Sequence, residues 1–130
     1  MYKYKIIIEY DGSNFVGWQS QENGLSVQKS IEESINNIVS EKVIVFGAGR
    51  TDAGVHAKAQ VAHFEILKEI PTDTIRDALN QHLRPLPIAI LEVKKAEKNF
   101  HARFSAKLRF YQYQIINRRS PLTLDKERAW

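Results

Sequence analysis

Residues 42 to 65 read Lys42-Val43-Ile44-Val45-Phe46-Gly47-Ala48-Gly49-Arg50-Thr51-Asp52-Ala53-Gly54-Val55-His56-Ala57-Lys58-Ala59-Gln60-Val61-Ala62-His63-Phe64-Glu65. The two ends, Lys42 to Phe46 and Gln60 to Glu65, are rich in β-branched and aromatic residues and read as strands. Between them lies a strand-to-strand loop with three glycines, Gly47, Gly49 and Gly54. Glycine tolerates tight turns and positive φ, so the loop can aim its short polar side chains at one point. Arg50 and Asp52 stand two residues apart. If their side chains lie close, the arginine favours the ionised carboxylate, and a positioned carboxylate serves as a nucleophile or an electrostatic stabiliser.

Two familiar glycine-loop chemistries are excluded. The third glycine is misplaced for a dinucleotide fingerprint, and the alternating Gln60-Val61-Ala62-His63-Phe64 follows where that fold needs a helix. No Lys-Ser or Lys-Thr pair follows a glycine, which excludes a P-loop. On spacing alone, a Gly/Asp cluster also marks an ordinary turn with Arg50 and Asp52 as solvated charges.

The chain has 130 residues and a mass of 15.0 kDa, enough for one domain or one domain plus part of another. Its hydrophobic fraction of 43% and charged fraction of 26% are those of a soluble globular protein, without a long apolar run for a membrane span. Met1-Tyr2-Lys3-Tyr4-Lys5 leads straight into a strand-like stretch rather than a signal peptide, so a cytoplasmic protein without membrane association is expected. The absence of cysteine rules out disulfides and thiolate metal sites. His56, His63, His82 and His101 show no paired metal spacing, so no metal site is expected.

The net charge of +4 conceals an asymmetry. Residues 1 to 93 carry 9 Lys/Arg and 12 Asp/Glu, a balance of −3, whereas residues 94 to 130 carry 10 and 3, a balance of +7. A polyanion such as RNA suits that C-terminal stretch, although a solvated basic face has the same composition.

Lys3 to Tyr10 reads as a first strand stopped by Asp11-Gly12. Val27, Ile31, Ile35 and Ile38 recur at helical spacing, predicting a helix over 26–39 with Ser26 as cap and Glu32 and Glu33 on the wet side. Pro71 and Thr72 open a second helix, with Thr72 as cap and Ile75, Leu79 and Leu83 on one face, ending near Arg84-Pro85. Ile88 to Val93 reads as a strand. The order strand, helix, strand, strand, helix, strand predicts an α+β protein of split βαβ, or ferredoxin-like, plan. Its antiparallel sheet would carry both helices on one face and leave the other free. Lys107 to Ile116 alternates as a further strand, with Arg109, Tyr111 and Tyr113 to one side. The expected division is a domain over 1–105 and, over 106–130, the start of a second.

Four stretches carry a resemblance. They are Tyr10-Asp11-Gly12-Ser13-Asn14-Phe15-Val16-Gly17-Trp18-Gln19-Ser20-Gln21, the loop Gly49-Arg50-Thr51-Asp52-Ala53-Gly54-Val55-His56, Phe100-His101-Ala102-Arg103-Phe104-Ser105-Ala106, and Arg109-Phe110-Tyr111-Gln112-Tyr113. In this order and spacing the chain resembles the tRNA pseudouridine synthase A family. The resemblance implies isomerisation of uridine to pseudouridine in the anticodon stem-loop of tRNA, without metal or organic cofactor, by a homodimer. It assigns the catalytic carboxylate to Asp52, attacking the sugar or the base or stabilising a cleaved sugar. Arg50 would pair with Asp52 and help displace the target base from its stack, and Tyr111 would sit against the uracil as a candidate base for its C5 proton.

Other roles are assigned more broadly. Thr51 and His56 count among the substrate-binding residues as parts of the loop. Gln19 and Gln21 are candidates for RNA contact, whereas Phe15 and Trp18 are expected to be buried. Arg103 and Arg109 fit phosphate or active-site contacts, and Lys107, Arg118 and Arg119 a basic tracking surface. Family members are longer, with a second domain forming the other wall of a basic cleft, so this chain is expected to be a shortened form that turns over poorly alone. Arg84-Pro85-Leu86-Pro87 stands where the family usually has an aspartate in the turn. The alternative is a non-catalytic RNA-binding module of similar topology, but Arg109 to Gln114 lacks the Gly-aromatic core of an RNA recognition motif.

Overall fold

Alternation along Tyr2–Tyr10, strand β1, buries Tyr4, Ile6, Ile8 and Tyr10 on one face and turns Lys3, Lys5, Ile7 and Glu9 to the other. This computed structural model describes residues 1–22 and 24–104. The expected strand over 107–116 and the domain start over 106–130 lie outside the described residues. Helix α1 spans Val27–Val39, with the Ser26 Oγ accepting from the Lys29 N–H at 3.1 Å as expected of its cap. Strands β2 (Phe46–Gly47) and β3 (Ala57–Ile66) follow, then helix α2 (Thr72–Leu83) and strand β4 (Ile88–Lys95).

The sheet order is β2-β3-β1-β4, and every neighbouring pair is antiparallel. Two helices and a four-stranded antiparallel sheet make this an α+β fold, in which each helix joins strands separated by a third. Val27, Ile31 and Ile35 of α1 and Ile75, Leu79 and Leu83 of α2 share the core with Tyr4, Ile6, Ile8, Ala62, Phe64, Ile66, Ile88, Ile90 and Val93 of the sheet. Burying such side chains stabilises the fold by roughly 1.5–3 kcal/mol each. Among the described residues, no helix is long and apolar enough to cross a membrane.

Several local expectations are corrected. Of the anticipated Lys42–Phe46 strand only Phe46 joins the ladder, together with Gly47. The backbone before it bonds instead to side chains four residues apart on α1: the Val43 N–H donates to Asn36 Oδ1 at 3.1 Å, the Val45 N–H to Glu32 Oε2 at 2.8 Å, and Gln28 Nε2 donates to the Val45 carbonyl at 3.0 Å. Glu32 is therefore half-buried and engaged, while Glu33 is exposed as expected. Thr72 is not a cap; it is the first helical residue, with Pro71 at the cap position and no side-chain capping bond. Pro71 already holds φ at −55°, so the chain enters the turn without that bond.

The face opposite the helices is not left free. After β4 the chain turns back over it: the Ala96 N–H donates to the Lys3 carbonyl at 2.9 Å, and Lys3 Nζ donates to the carbonyls of Lys98 and Phe100 at 2.6 Å each. His63 lies beneath this return segment, 3% exposed, and its Nδ1 accepts from the Ala102 N–H at 3.0 Å. Its ring stacks on Phe46 with centroids 5.1 Å apart and meets His101 edge-on at 4.5 Å. Burial first, then the neighbouring His101 and Lys3, lowers its pKa from 6.5 to about 4, partly offset by Glu65. His63 is thus a neutral acceptor near neutral pH that ties the return segment to the sheet.

Candidate active site

The loop between β2 and β3 leaves the sheet anchored at both ends. The Ala48 N–H donates to the Val61 carbonyl at 2.8 Å, and Gln60 Nε2 donates to the Gly49 carbonyl at 2.7 Å. At its far end Ala57 pairs with Tyr10 across the sheet. Between these anchors the loop rests on the segment that follows β1. The Trp18 N–H donates to the Thr51 carbonyl at 3.0 Å, the Gly54 N–H donates to the Phe15 carbonyl at 3.4 Å, and the Val55 N–H closes a turn onto the Asp52 carbonyl at 3.2 Å. The Thr51 Oγ1 shares a hydrogen bond of 2.7 Å with the Tyr10 hydroxyl.

Two glycines make this contact possible. A Cβ on Gly12 would lie 2.0 Å from the Val55 carbonyl oxygen, and one on Gly17, whose φ is +115°, would lie 2.5 Å from the Thr51 carbonyl oxygen. Of the three glycines in the loop itself, Gly54 takes a positive φ, +79°. Phe15 and Trp18 are buried as expected, and Trp18 packs beside Tyr10 with ring centroids 6.4 Å apart. The Asp11 Oδ1 accepts from both the Ser13 N–H, at 3.0 Å, and the Ser13 hydroxyl, at 2.6 Å, which fixes the turn out of β1.

His56 closes the loop. Its Nδ1 lies 2.9 Å from the Gly12 nitrogen and 3.1 Å from Asp11 Oδ1. Without a proton Nδ1 accepts from the Gly12 N–H, and with one it donates to Asp11, so these partners compete for one nitrogen. In either state His56 ties the loop to the β1 turn.

The result is a backbone gripped on both sides of Asp52 and a side chain that projects into solvent. Arg50 is exposed as well, and among the described residues no ion pair joins it to Asp52, unlike the pairing that the resemblance implies and in line with the solvated charges that spacing alone allows. Two fully hydrated side chains gain little from holding one geometry, which accounts for the difference. Gln19 and Gln21 are exposed beside Trp18, with Gln21 Nε2 donating to the Val16 carbonyl at 3.2 Å. Arg103 lies on the return segment, its guanidinium 5.8 Å from the Phe104 ring centre. Tyr111, Lys107, Arg109, Arg118 and Arg119 lie outside the described residues. Among the described residues, no group of three or more His, Asp or Glu side chains is arranged to hold a metal ion.

Sequence reasoning read Asp11-Gly12 as the turn ending β1 and gave no site role to Tyr10, Asp11, Gly12 or Gly17, which build the platform under the loop. The available signal was the Asp-Gly turn directly after a strand, with a second glycine beside buried aromatics.

The loop thus presents one exposed carboxylate from a strand-to-strand connection whose backbone is bonded to the β1 turn. The tRNA pseudouridine synthase family model matches residues 6–105. Over 130 residues the chain is 55% identical to the tRNA pseudouridine synthase A of Parvibaculum lavamentivorans, covering all of this chain and 53% of that protein. It is 52% identical to the enzyme of the same name from Maricaulis maris, again over its whole length and 52% of the relative. The tRNA pseudouridine synthase A of Ehrlichia ruminantium is 54% identical over 129 residues, 98% of this chain and 52% of the relative. The chain belongs to the tRNA pseudouridine synthase family, and it spans about half the length of the curated relatives it matches.

Proposed function

We propose that this chain supplies the catalytic carboxylate of a tRNA pseudouridine synthase, with Asp52 as that carboxylate and uridines of the anticodon stem-loop as the target. The supporting observation is the exposed Asp52 side chain on a loop whose neighbouring backbone is hydrogen-bonded to the β1 turn on either side, in a chain of this family. The reaction breaks the N1–C1′ glycosidic bond, rotates the uracil and forms a C5–C1′ bond. The C5 proton then leaves to a base and N1 regains a proton, so substrate and product are isomers. Asp52 would attack C1′, add to the ring or stabilise the detached sugar, Arg50 would help displace the target base from its stack, and Tyr111 would receive the C5 proton.

Gln19, Gln21, Thr51, His56, Arg103, Arg109, Lys107, Arg118 and Arg119 are proposed to hold the RNA. A homodimeric, cytoplasmic enzyme needing no cofactor completes the reading. Because the relatives carry about as much chain again, residues 1–130 alone should turn over weakly. The deciding experiment is tritium release from tRNA labelled at uridine C5, using the protein from the complete reading frame. Asp52→Asn should reduce release on the order of 10³-fold or more while leaving the melting temperature unchanged. Undiminished release would remove Asp52 from the mechanism.

A further inference from the structure

We propose that Tyr10 is a positioning residue for Asp52, acting through the Thr51 hydroxyl; this rests on the reading of Asp52 as the catalytic carboxylate. Tyr10 is the last residue of β1 and points into the core, 3% exposed, between Trp18 and the loop. A phenol hydroxyl is costly to bury unless it is hydrogen-bonded, and phenylalanine would fill the same apolar space. The hydroxyl at this position meets the Thr51 Oγ1 at 2.7 Å.

Thr51 is held at two points on different sides of the residue. Its side chain bonds to Tyr10, and its carbonyl accepts from the Trp18 N–H at 3.0 Å. Both partners belong to the rigid part of the fold, one in a central strand and the other a buried ring 2% exposed. With χ1 of Thr51 locked by the phenol and its carbonyl locked by the strand-following turn, the peptide leading into Asp52 has one orientation. The Asp52 side chain itself is solvated, so its direction depends on that peptide rather than on contacts of its own. Losing the phenol oxygen releases the Thr51 side chain while the Trp18 bond still holds the chain in place. The expected consequence is an imprecisely aimed carboxylate in a folded protein.

A displacement of about 1 Å in a reacting group costs up to roughly 10²-fold in rate. Binding of tRNA, which the proposed function spreads over many residues, should hardly register it. The test uses the protein from the complete reading frame, carrying Tyr10→Phe, Thr51→Val, Thr51→Ser, or Tyr10→Phe together with Thr51→Val. Single-turnover tritium release is measured at saturating enzyme, alongside the dissociation constant for tRNA and the melting temperature. Tyr10→Phe should slow release on the order of 10-fold to 100-fold with the dissociation constant within about twofold of wild type. The double variant should be no slower than the slower single variant, because both remove one bond. Thr51→Ser should recover most of the rate that Thr51→Val loses.

A Tyr10→Phe rate within twofold of wild type, losses that multiply in the double variant, or a loss confined to tRNA affinity would each overturn the proposal. Asp52→Asn runs beside these variants. If it is inactive while Tyr10→Phe is normal, the positioning role fails and the catalytic reading stands; if it is active, both fail.

Discussion

Strand β1 carries a tyrosine near each end on the same face, and the two hydroxyls serve different purposes. The Tyr4 hydroxyl accepts from the Ile70 N–H and donates to the Ile70 carbonyl, both at 2.9 Å, while its ring stacks on Phe64 at 5.7 Å. It closes on the backbone of one residue in the connection leading to α2. The Tyr10 hydroxyl meets a side chain instead, Thr51, adjacent to an exposed carboxylate. Identical chemistry on one strand therefore fixes a chain path at one end and an orientation at the other. What the hydroxyl grips, rather than the tyrosine itself, separates a stabilising residue from a positioning one.

That contrast can be broken most forcefully at Gly12. A methyl group there would lie 2.0 Å from the Val55 carbonyl oxygen, and backbone on both sides leaves nothing flexible to yield. Gly12→Ala should destabilise the full-length protein by about 2–4 kcal/mol in a denaturant titration and lower tritium release on the order of 10²-fold. A release rate equal to wild type would mean that the loop and the β1 turn move independently. At the other end of the strand, Tyr4→Phe removes both bonds to Ile70 and should cost about 1–3 kcal/mol of stability. Its single-turnover rate should match wild type; a slowed rate with unaltered stability would erase the distinction between the two tyrosines.

The smallest effect concerns the opposite face of the sheet. His63 has its pKa lowered to about 4 in the folded protein against 6.5 in the unfolded chain, so the unfolded state binds more protons between those values. Its contribution is complete above about pH 6.5 and is lost as pH falls toward 4. Comparing the melting temperatures of wild type and His63→Gln across that window should show the wild type losing its advantage on acidification. Parallel curves would place the acid sensitivity elsewhere.

The elements with one strong period were legible in the chain. α1 and α2 repeat their apolar residues at helical spacing, so their core faces could be named from Ile31 and Ile35 or from Ile75 and Leu79, whereas β1 and β4 were legible as strands by composition and their faces came with the structure. Lys42 to Val45 alternates in burial, with Val43 and Val45 inside and Ile44 exposed, yet it does not pair as a strand. Alternation reports which side chains face inward and says nothing about where the backbone hydrogen bonds go. Here Gln28, Glu32 and Asn36 receive them, a row of polar side chains that composition alone assigns to solvent. The return segment over His63 was hidden for a related reason: nothing local to Lys3 or His63 in the sequence shows that residues 97 and 39 positions away, Phe100 and Ala102, bond to them.

By itself the sequence determined the α+β class, the faces of its helices, and, through the Gly49 to His56 signature, membership of a pseudouridine synthase family. These depend on periodicity and on a contiguous motif, both local properties of a chain. Only the tertiary structure decided how the motif is held. Tyr10, Gly12, Gly17 and Trp18 grip the loop across more than thirty residues of intervening sequence, and Arg50 stands in solvent rather than against Asp52. Such contacts follow from the close approach of two turns at one end of a sheet, which spacing along the chain does not encode.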